Sequence, residues 1–192
     1  LLSMAGQHDR VEQMHAGIDV YNEFGSIMYK RPFDRKTTDK VLGEIPKRGV
    51  LGSGYGLGPV GFRARFTPKE SIDLAMLVIK TYRTDFAPMV PKFWYGLWQA
   101  SVDAVWCNEG KSCEYAGVVF RVKGEFLTMR LPSGRHIYYH RPKKARTYDP
   151  QGNERASWTF MSYRGKKFRR HWAWHGMVTA DCIQGSARCL MV

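Results

Sequence analysis

Residues 115–139 read YAGVVFRVKGEFLTMRLPSGRHIYY, and this stretch sets the fold class. Tyr115 to Val122, Glu125 to Leu131 and Arg135 to Tyr139 are short runs rich in β-branched and aromatic side chains. They are punctuated by Lys123-Gly124 and Pro132-Ser133-Gly134, a pattern that predicts consecutive antiparallel hairpins. A further strand is expected over Ser157 to Tyr163, ahead of Arg164-Gly165-Lys166-Lys167, with Arg141 to Glu154 a polar, mobile connection. From Trp174 onward the residues read as helix without a stop signal, as if the chain were an excerpt.

Upstream of Gly110 the rhythm is helical. Leu2, Met4 and Ala5 open it, and Ile18, Tyr21, Phe24, Ile27 and Met28 follow a possible cap at Asp19. Thr67-Pro68-Lys69-Glu70 carries an N-cap type, a proline and an acid, and predicts a helix from Thr67 to about Arg83 through Ile72, Ala75, Met76 and Ile79. After Pro91, the series Phe93, Trp94, Leu97, Trp98, Val102 and Val105 predicts a second helix ending near Asn108-Glu109-Gly110. The expected class is α+β, with helices over 1–110 and a small antiparallel sheet plus a final helix over 111–192.

The charge narrows the partner. The 192 residues carry a formal charge of +13, and between 126 and 180 there are 12 basic side chains against Asp149 and Glu154 alone. Such an excess points to a polyanion, and 14% aromatic residues are too many for a disordered basic tail. No apolar run is long enough to cross a bilayer, and the N-terminal residues lack a signal-peptide layout, so a cytoplasmic protein with no membrane partner is expected. Cys107, Cys113, Cys182 and Cys189 lack zinc-knuckle spacing and read as reduced thiols.

Lys47-Arg48-Gly49-Val50-Leu51-Gly52-Ser53-Gly54-Tyr55-Gly56-Leu57-Gly58 is the densest motif. No Gly-Lys-Ser/Thr follows, so it is not a P-loop, and it lacks the preceding strand of a dinucleotide site. It is either a glycine-rich loop without a ligand or a helix on which Lys47, Leu51 and Tyr55, four apart, share a face. On one face, those three could meet a phosphate, a sugar and a base.

That spacing resembles the fingers helix of family A DNA polymerases, and Leu51 to Gly58 is similar to the wording of phage members. Leu1 to Gly6, Gly17 to Tyr21, Tyr82-Arg83 with Pro88 and Phe93-Trp94, Leu131 to Arg135 with Tyr138-Tyr139, and Trp174 to Leu190 resemble further family segments in order. The resemblance implies a fingers and partial palm fragment. Lys47 would bind the dNTP triphosphate, Leu51 would gate sugar selection, Tyr55 would stack on the nascent pair, and Tyr21 would lie near the phosphates. Gln184 and Asp181 would follow the minor groove of the primer–template, with Arg135 beside the duplex backbone. The Mg2+ ions of such an enzyme are held by two aspartates, one upstream of Leu1 and one downstream of Val192. The remainder of the polymerase is therefore an expected partner, and the fragment alone is expected to be inactive.

Two departures stand out. The family has an arginine where this chain has Gly43, with Lys40 or Arg48 as substitutes, and Pro46 suggests a helix that starts later or kinks. Arg130, Arg135, Arg141, Lys143, Lys144 and Arg146, then Arg164, Lys166, Lys167, Arg169 and Arg170, alternate with Tyr138, Tyr139, Tyr148, Tyr163, Phe168 and Trp172. In a polymerase fragment these charges would track the DNA backbone, and on a competing reading they form a stand-alone basic nucleic-acid-binding module. A single-subunit RNA polymerase fits the glycine-rich wording less closely. His171 and His175, four apart at an expected helix start, lack a third metal ligand, and Asp9, Glu12, Asp19 and Glu23 read as a solvated face balancing Arg10.

Overall fold

A computed structural model describes residues 1–107, 110–149 and 151–191. It is α+β, as the sequence predicts, and the chain divides into two compact units, Leu1–Phe93 and Trp94–Val192. The helices are α1 (His8–His15), α2 (Val20–Tyr29), α3 (Glu44–Ser53), α4 (Pro59–Phe66), α5 (Ile72–Thr81), α6 (Met89–Trp106) and α7 (His175–Leu190). A π-helical turn, Tyr82–Phe86, extends α5. The strands are β1 (Ser112–Tyr115), β2 (Val118–Lys123), β3 (Phe126–Arg130), β4 (His136–Tyr148), β5 (Glu154–Arg164) and β6 (Lys167–Trp172).

In the first unit, Asp19 caps α2 as expected, its carboxylate accepting from the backbone N–H groups of Tyr21 and Asn22. Thr67 does not cap α5. Ser71 does, accepting from the Leu74 N–H, while residues 67–70 form a turn that places Thr67 in the core. Leu2 to Ala5 is likewise a series of turns rather than helix.

Pro46 neither delays nor kinks α3, which starts at Glu44. A proline in the first turn removes only an N–H that has no intrahelical acceptor. The glycines of α3 have a steric task. A Cβ at Gly49 would stand 2.8 Å from the Phe24 ring and 2.9 Å from Val78, and one at Gly52 would stand 2.7 Å from Phe66. The helix therefore lies with its backbone directly against aromatic rings. Phe24 in turn meets Phe86 edge-on at 5.2 Å between centroids, in a core shared with Phe62, Val78, Ile79 and Tyr82.

Arg10 does not sit on a solvated face. It is only 8% exposed, its guanidinium donating to the carbonyls of Phe86 and Asp85 and pairing with Glu23 at 3.1 Å. Asp9 and Glu23 anchor this buried cation, Glu12 stays exposed, and Asp19 pairs instead with Arg35 at 3.1 Å.

In the second unit the six strands form one antiparallel meander in sequence order. The first expected strand is two. Ala116 and Gly117, with φ of 50° and 75°, form a tight turn between β1 and β2. The expected mobile connection over 141–154 is sheet, because β4 runs on to Tyr148 and β5 begins at Glu154. The turn between them is tied by Asp149, whose carboxylate accepts from the Gln151 and Asn153 N–H groups and from Arg155. These contacts hold it near pKa 2, the backbone bond from Asn153 foremost.

Between His140 and Lys143 the register shifts, with Arg141 at φ 49°. Three residues of β4 there span two of β5, a bulge that reverses which side chains face inward downstream. His171 lies in β6 rather than on a helix, and His175 opens α7. The end expected for α6 at Asn108-Glu109 falls outside the described residues.

One sheet face is core. Val118, Phe120, Leu127, Met129 and Trp158 are fully buried, and α6 covers them. The Trp158 indole N–H donates to Ser101 Oγ at 3.0 Å, and that of Trp106 to the Ser157 carbonyl at 2.8 Å. Both rings therefore bring their polar atoms into the core with partners. On α7, Gly185 lies against Leu131 and Ile137.

Two outcomes follow. Gly49→Ala and Gly52→Ala should each destabilise the first unit by about 1–3 kcal/mol through overpacking, read by urea denaturation. Asp39 is held at about pKa 2, below its ordinary 3.8, mainly by the Arg31 guanidinium and also by the Asp34 N–H and Thr38 hydroxyl. A depressed carboxylate stabilises only while ionised, so hydrogen-exchange protection of residues 31–39 should be complete above pH 4 and fall between pH 4 and 2. In Asp39→Asn that pH dependence should vanish.

Candidate functional site

The four residues expected to meet a nucleotide lie in the first unit. Lys47 and Leu51 occupy successive turns of α3, so the helical reading of the motif holds for them. Tyr55 lies beyond the helix, which ends at Ser53; Gly54 keeps helical angles and Gly56 turns the chain with φ 78°. The glycine-rich segment is thus a helix followed by a tight turn.

Leu51 and Tyr55 are brought together. They line one cleft of about 590 Å³ with Leu1, Leu2, Val11, Met14 and Tyr82. The walls are mostly apolar, which suits a flat ring. Burial pushes the Tyr82 phenol up, and the Tyr55 phenol beside it adds to the shift, so Tyr82 stays a neutral donor throughout the physiological range.

Lys47 does not line this cleft. It stands one turn upstream, its ammonium 3.6 Å from Glu44, while Arg48 pairs with the other oxygen of Glu44 at 3.7 Å and donates to the Phe66 carbonyl. Both pairs are solvent-exposed and weak enough to yield to a polyanion. Tyr21 also lies outside the cleft, in the first turn of α2 beneath the Arg35 guanidinium at 4.9 Å from its ring centroid.

Arg35 is a residue that the sequence did not single out. A Cβ at Gly43 would stand 2.7 Å from Arg35 Cβ, so no side chain fits at position 43 while Arg35 lies there. The backbone and Cβ of Arg35 thus flank the start of α3, while its guanidinium is held by Asp19 at 3.1–3.2 Å over Tyr21. Lys40 is on an exposed turn and Arg48 is engaged by Phe66 and Glu44. Only the close approach at Gly43 reveals Arg35, and no motif encodes it.

The residues expected to meet DNA lie in the second unit and separate into groups. Arg135, Asp181 and Gln184 converge on a cleft of about 340 Å³ with His136, Ile137 and Arg188. Asp181 accepts from the Tyr139 hydroxyl at 2.8 Å. Burial raises its pKa and that hydrogen bond opposes the rise, while burial and the adjacent carboxylate push the Tyr139 phenol up. Arg135, Arg188 and the Gln184 amide supply donors, and Gln184 can also accept, a set suited to phosphate and base-edge contacts.

Lys166, Lys167, Arg169 and Arg170 lie outside that cleft, on the β5–β6 hairpin. Strand alternation divides them. Arg170 shares a face with Phe168, whereas Lys167 and Arg169 point the other way. Among the described residues no three His, Cys, Asp or Glu side chains gather to hold a metal.

The chain is similar to a phage DNA polymerase. It is 24% identical over 200 residues to the DNA polymerase of Bacillus phage SP02, across 98% of its own length and 29% of that protein's. The chain thus spans less than a third of this relative, and the match runs through both units. No protein-family profile matches the chain, and no solved structure does. No described helix is long and apolar enough to cross a membrane.

Tyr139→Phe tests the electrostatics of the second cleft. Losing the donor leaves burial unopposed, so the Asp181 pKa should rise further above 3.8, as read by carboxyl-carbon NMR titration.

Proposed function

We propose that this chain is the fingers and adjoining palm portion of a phage-type family A DNA polymerase, binding an incoming dNTP and primer–template for template-directed nucleotidyl transfer. One observation carries the reading. The helix that presents Lys47 and Leu51 on successive turns delivers Tyr55 into the same apolar cleft as Leu51, and this lies in a chain similar along 98% of its length to a DNA polymerase.

In this reading the triphosphate displaces Glu44 from Lys47, exchanging an exposed ion pair for charge-assisted contacts to a more highly charged partner. Leu51 contacts the sugar and Tyr55 stacks on the base pair. The guanidinium of Arg35, above Tyr21, takes the place of the arginine missing at Gly43. The DNA lies along Arg135, Gln184 and Asp181, with basic residues of the β5–β6 hairpin tracking the phosphate backbone. Two aspartates from the remainder of the protein hold Mg2+, which supplies Lewis-acid stabilisation of the transferring phosphoryl group. The expected setting is the cytoplasm of an infected or bacterial cell.

The test uses the complete enzyme with primer–template and Mg2+. Lys47→Ala and Tyr55→Ala should each lower kcat/KM for the correct dNTP at least tenfold, and that dNTP should protect residues 47–55 from hydrogen exchange in the parent only. Values within twofold of the parent would remove α3 from the nucleotide site and leave a basic nucleic-acid-binding module, whose DNA affinity depends on salt but not on dNTP.

A further inference from the structure

The sheet of the second unit has a second face, opposite the one packed under α6. Strand register assigns its side chains. Lys123, Phe126, His140, Met161 and Arg170 form one cross-strand row, Arg121, Thr128 and Tyr138 the next, and Arg130 and His136 a third. Tyr163 and Phe168 continue the surface at the far hairpin. This face is aromatic and open: Phe126 is 39% exposed, Phe168 45%, Tyr138 61% and Tyr163 71%.

The rings are contiguous. Phe126 lies 5.9 Å from Tyr138 and 5.2 Å from His140, His140 lies 5.9 Å from Phe168, and Phe168 lies 4.9 Å from Tyr163, centroid to centroid. A groove of about 800 Å³ runs between the rings and Arg121 and Lys123. The acids on this face are Glu114 at the β1 edge and Glu125, which is occupied by Arg141 at 2.9 Å and His140 at 3.5 Å. Aromatic rings of this size are normally withdrawn from water, and here a line of them stands among cations.

We propose that this face binds single-stranded DNA, with unpaired bases stacking on Phe126, Tyr138 and Phe168 while Arg121, Lys123, Arg130 and Arg170 neutralise the phosphates. The charge selects a polyanion over an apolar protein surface, and the rings select bases whose faces are free. In a duplex each base face is covered by its neighbours, so a stacking platform discriminates for unpaired strands. The surface borders the Arg135, Gln184 and Asp181 cleft at His136 but shares none of those three residues. Only the choice of DNA as the polymer rests on the proposed polymerase function.

The experiment uses the full protein and a fluorescent oligothymidylate of 16 nucleotides, in the parent and in Phe126→Leu/Tyr138→Leu, which keeps apolar bulk and removes the two π-faces. Affinity should fall about tenfold with an unchanged salt dependence, since stacking is lost and charge is not. Arg121→Gln/Lys123→Gln should instead flatten the log–log salt slope by about 1.4. Photocross-linking of a 5-iodouracil-substituted strand should map to Phe126, Tyr138 or Phe168.

Affinity of the leucine variant within twofold of the parent, cross-links confined to residues 135 and 184–188, equal competition by duplex, or tighter binding of oligouridylate would each overturn the proposal. None of these readouts involves dNTP. Failure here leaves the nucleotide cleft standing, and failure at Lys47 and Tyr55 leaves the sheet face standing.

Discussion

The rings of Phe24 and Phe66 lie against the bare backbone of α3, and the arrangement of the first unit depends on that contact. A helix carrying side chains at positions 49 and 52 would be held away from these rings by about 1 Å, the shortfall of a 2.7–2.8 Å approach from van der Waals contact. The glycines weaken α3 as an isolated helix, since each is less favourable than alanine there. Tertiary packing therefore determines its structure. With one side of the helix committed to close packing, Leu51 is left exposed and Tyr55 enters the cleft just past the helix end. The same economy of space operates at Gly43, where the backbone of the preceding loop occupies the volume of a side chain and brings Arg35 with it.

Much of the fold could be read from local chemistry. Asp19 caps its helix because a short carboxylate before an apolar series can reach two N–H groups of the first turn, and the turns at Gly124, Gly134 and Gly165 declare themselves by residue type, whereas Ala116-Gly117 passes for strand. The failures are equally physical. Thr67-Pro68-Lys69-Glu70 has the composition of a helix start, yet Ser71 offers the same cap four residues later and leaves Thr67 to the core. Residues 141–148 look like a loop because Arg141, Lys143, Lys144 and Arg146 leave no apolar–polar alternation and Pro142 interrupts the run. Pairing along β5 is what makes them a strand, and Lys144 and Arg146 shield the Trp106 ring at 5.7–5.8 Å.

The candidate sites show the same division. Spacing alone placed Lys47 and Leu51 on successive turns, since a helix has a fixed pitch. It could not place Tyr55 beyond the helix end, nor separate Lys167 and Arg169 from Arg170, because a run of basic residues carries no mark of the face to which each belongs. The Arg135, Asp181 and Gln184 group joins a hairpin loop to a helix some forty-five residues on. Its assembly depends on how Gly185 lets α7 settle against Leu131 and Ile137.

The bulge at Arg141 acts as a parity switch. Upstream of it the even-numbered residues His136, Tyr138 and His140 face away from the core, and downstream the odd-numbered Lys143 does. At its present length, a β4 without the bulge would slip its downstream pairing by one residue and turn Lys144 and Arg146 away from the face they share with Trp158. The one residue in excess is thus absorbed at Arg141 and is not passed on to the turn that Asp149 ties.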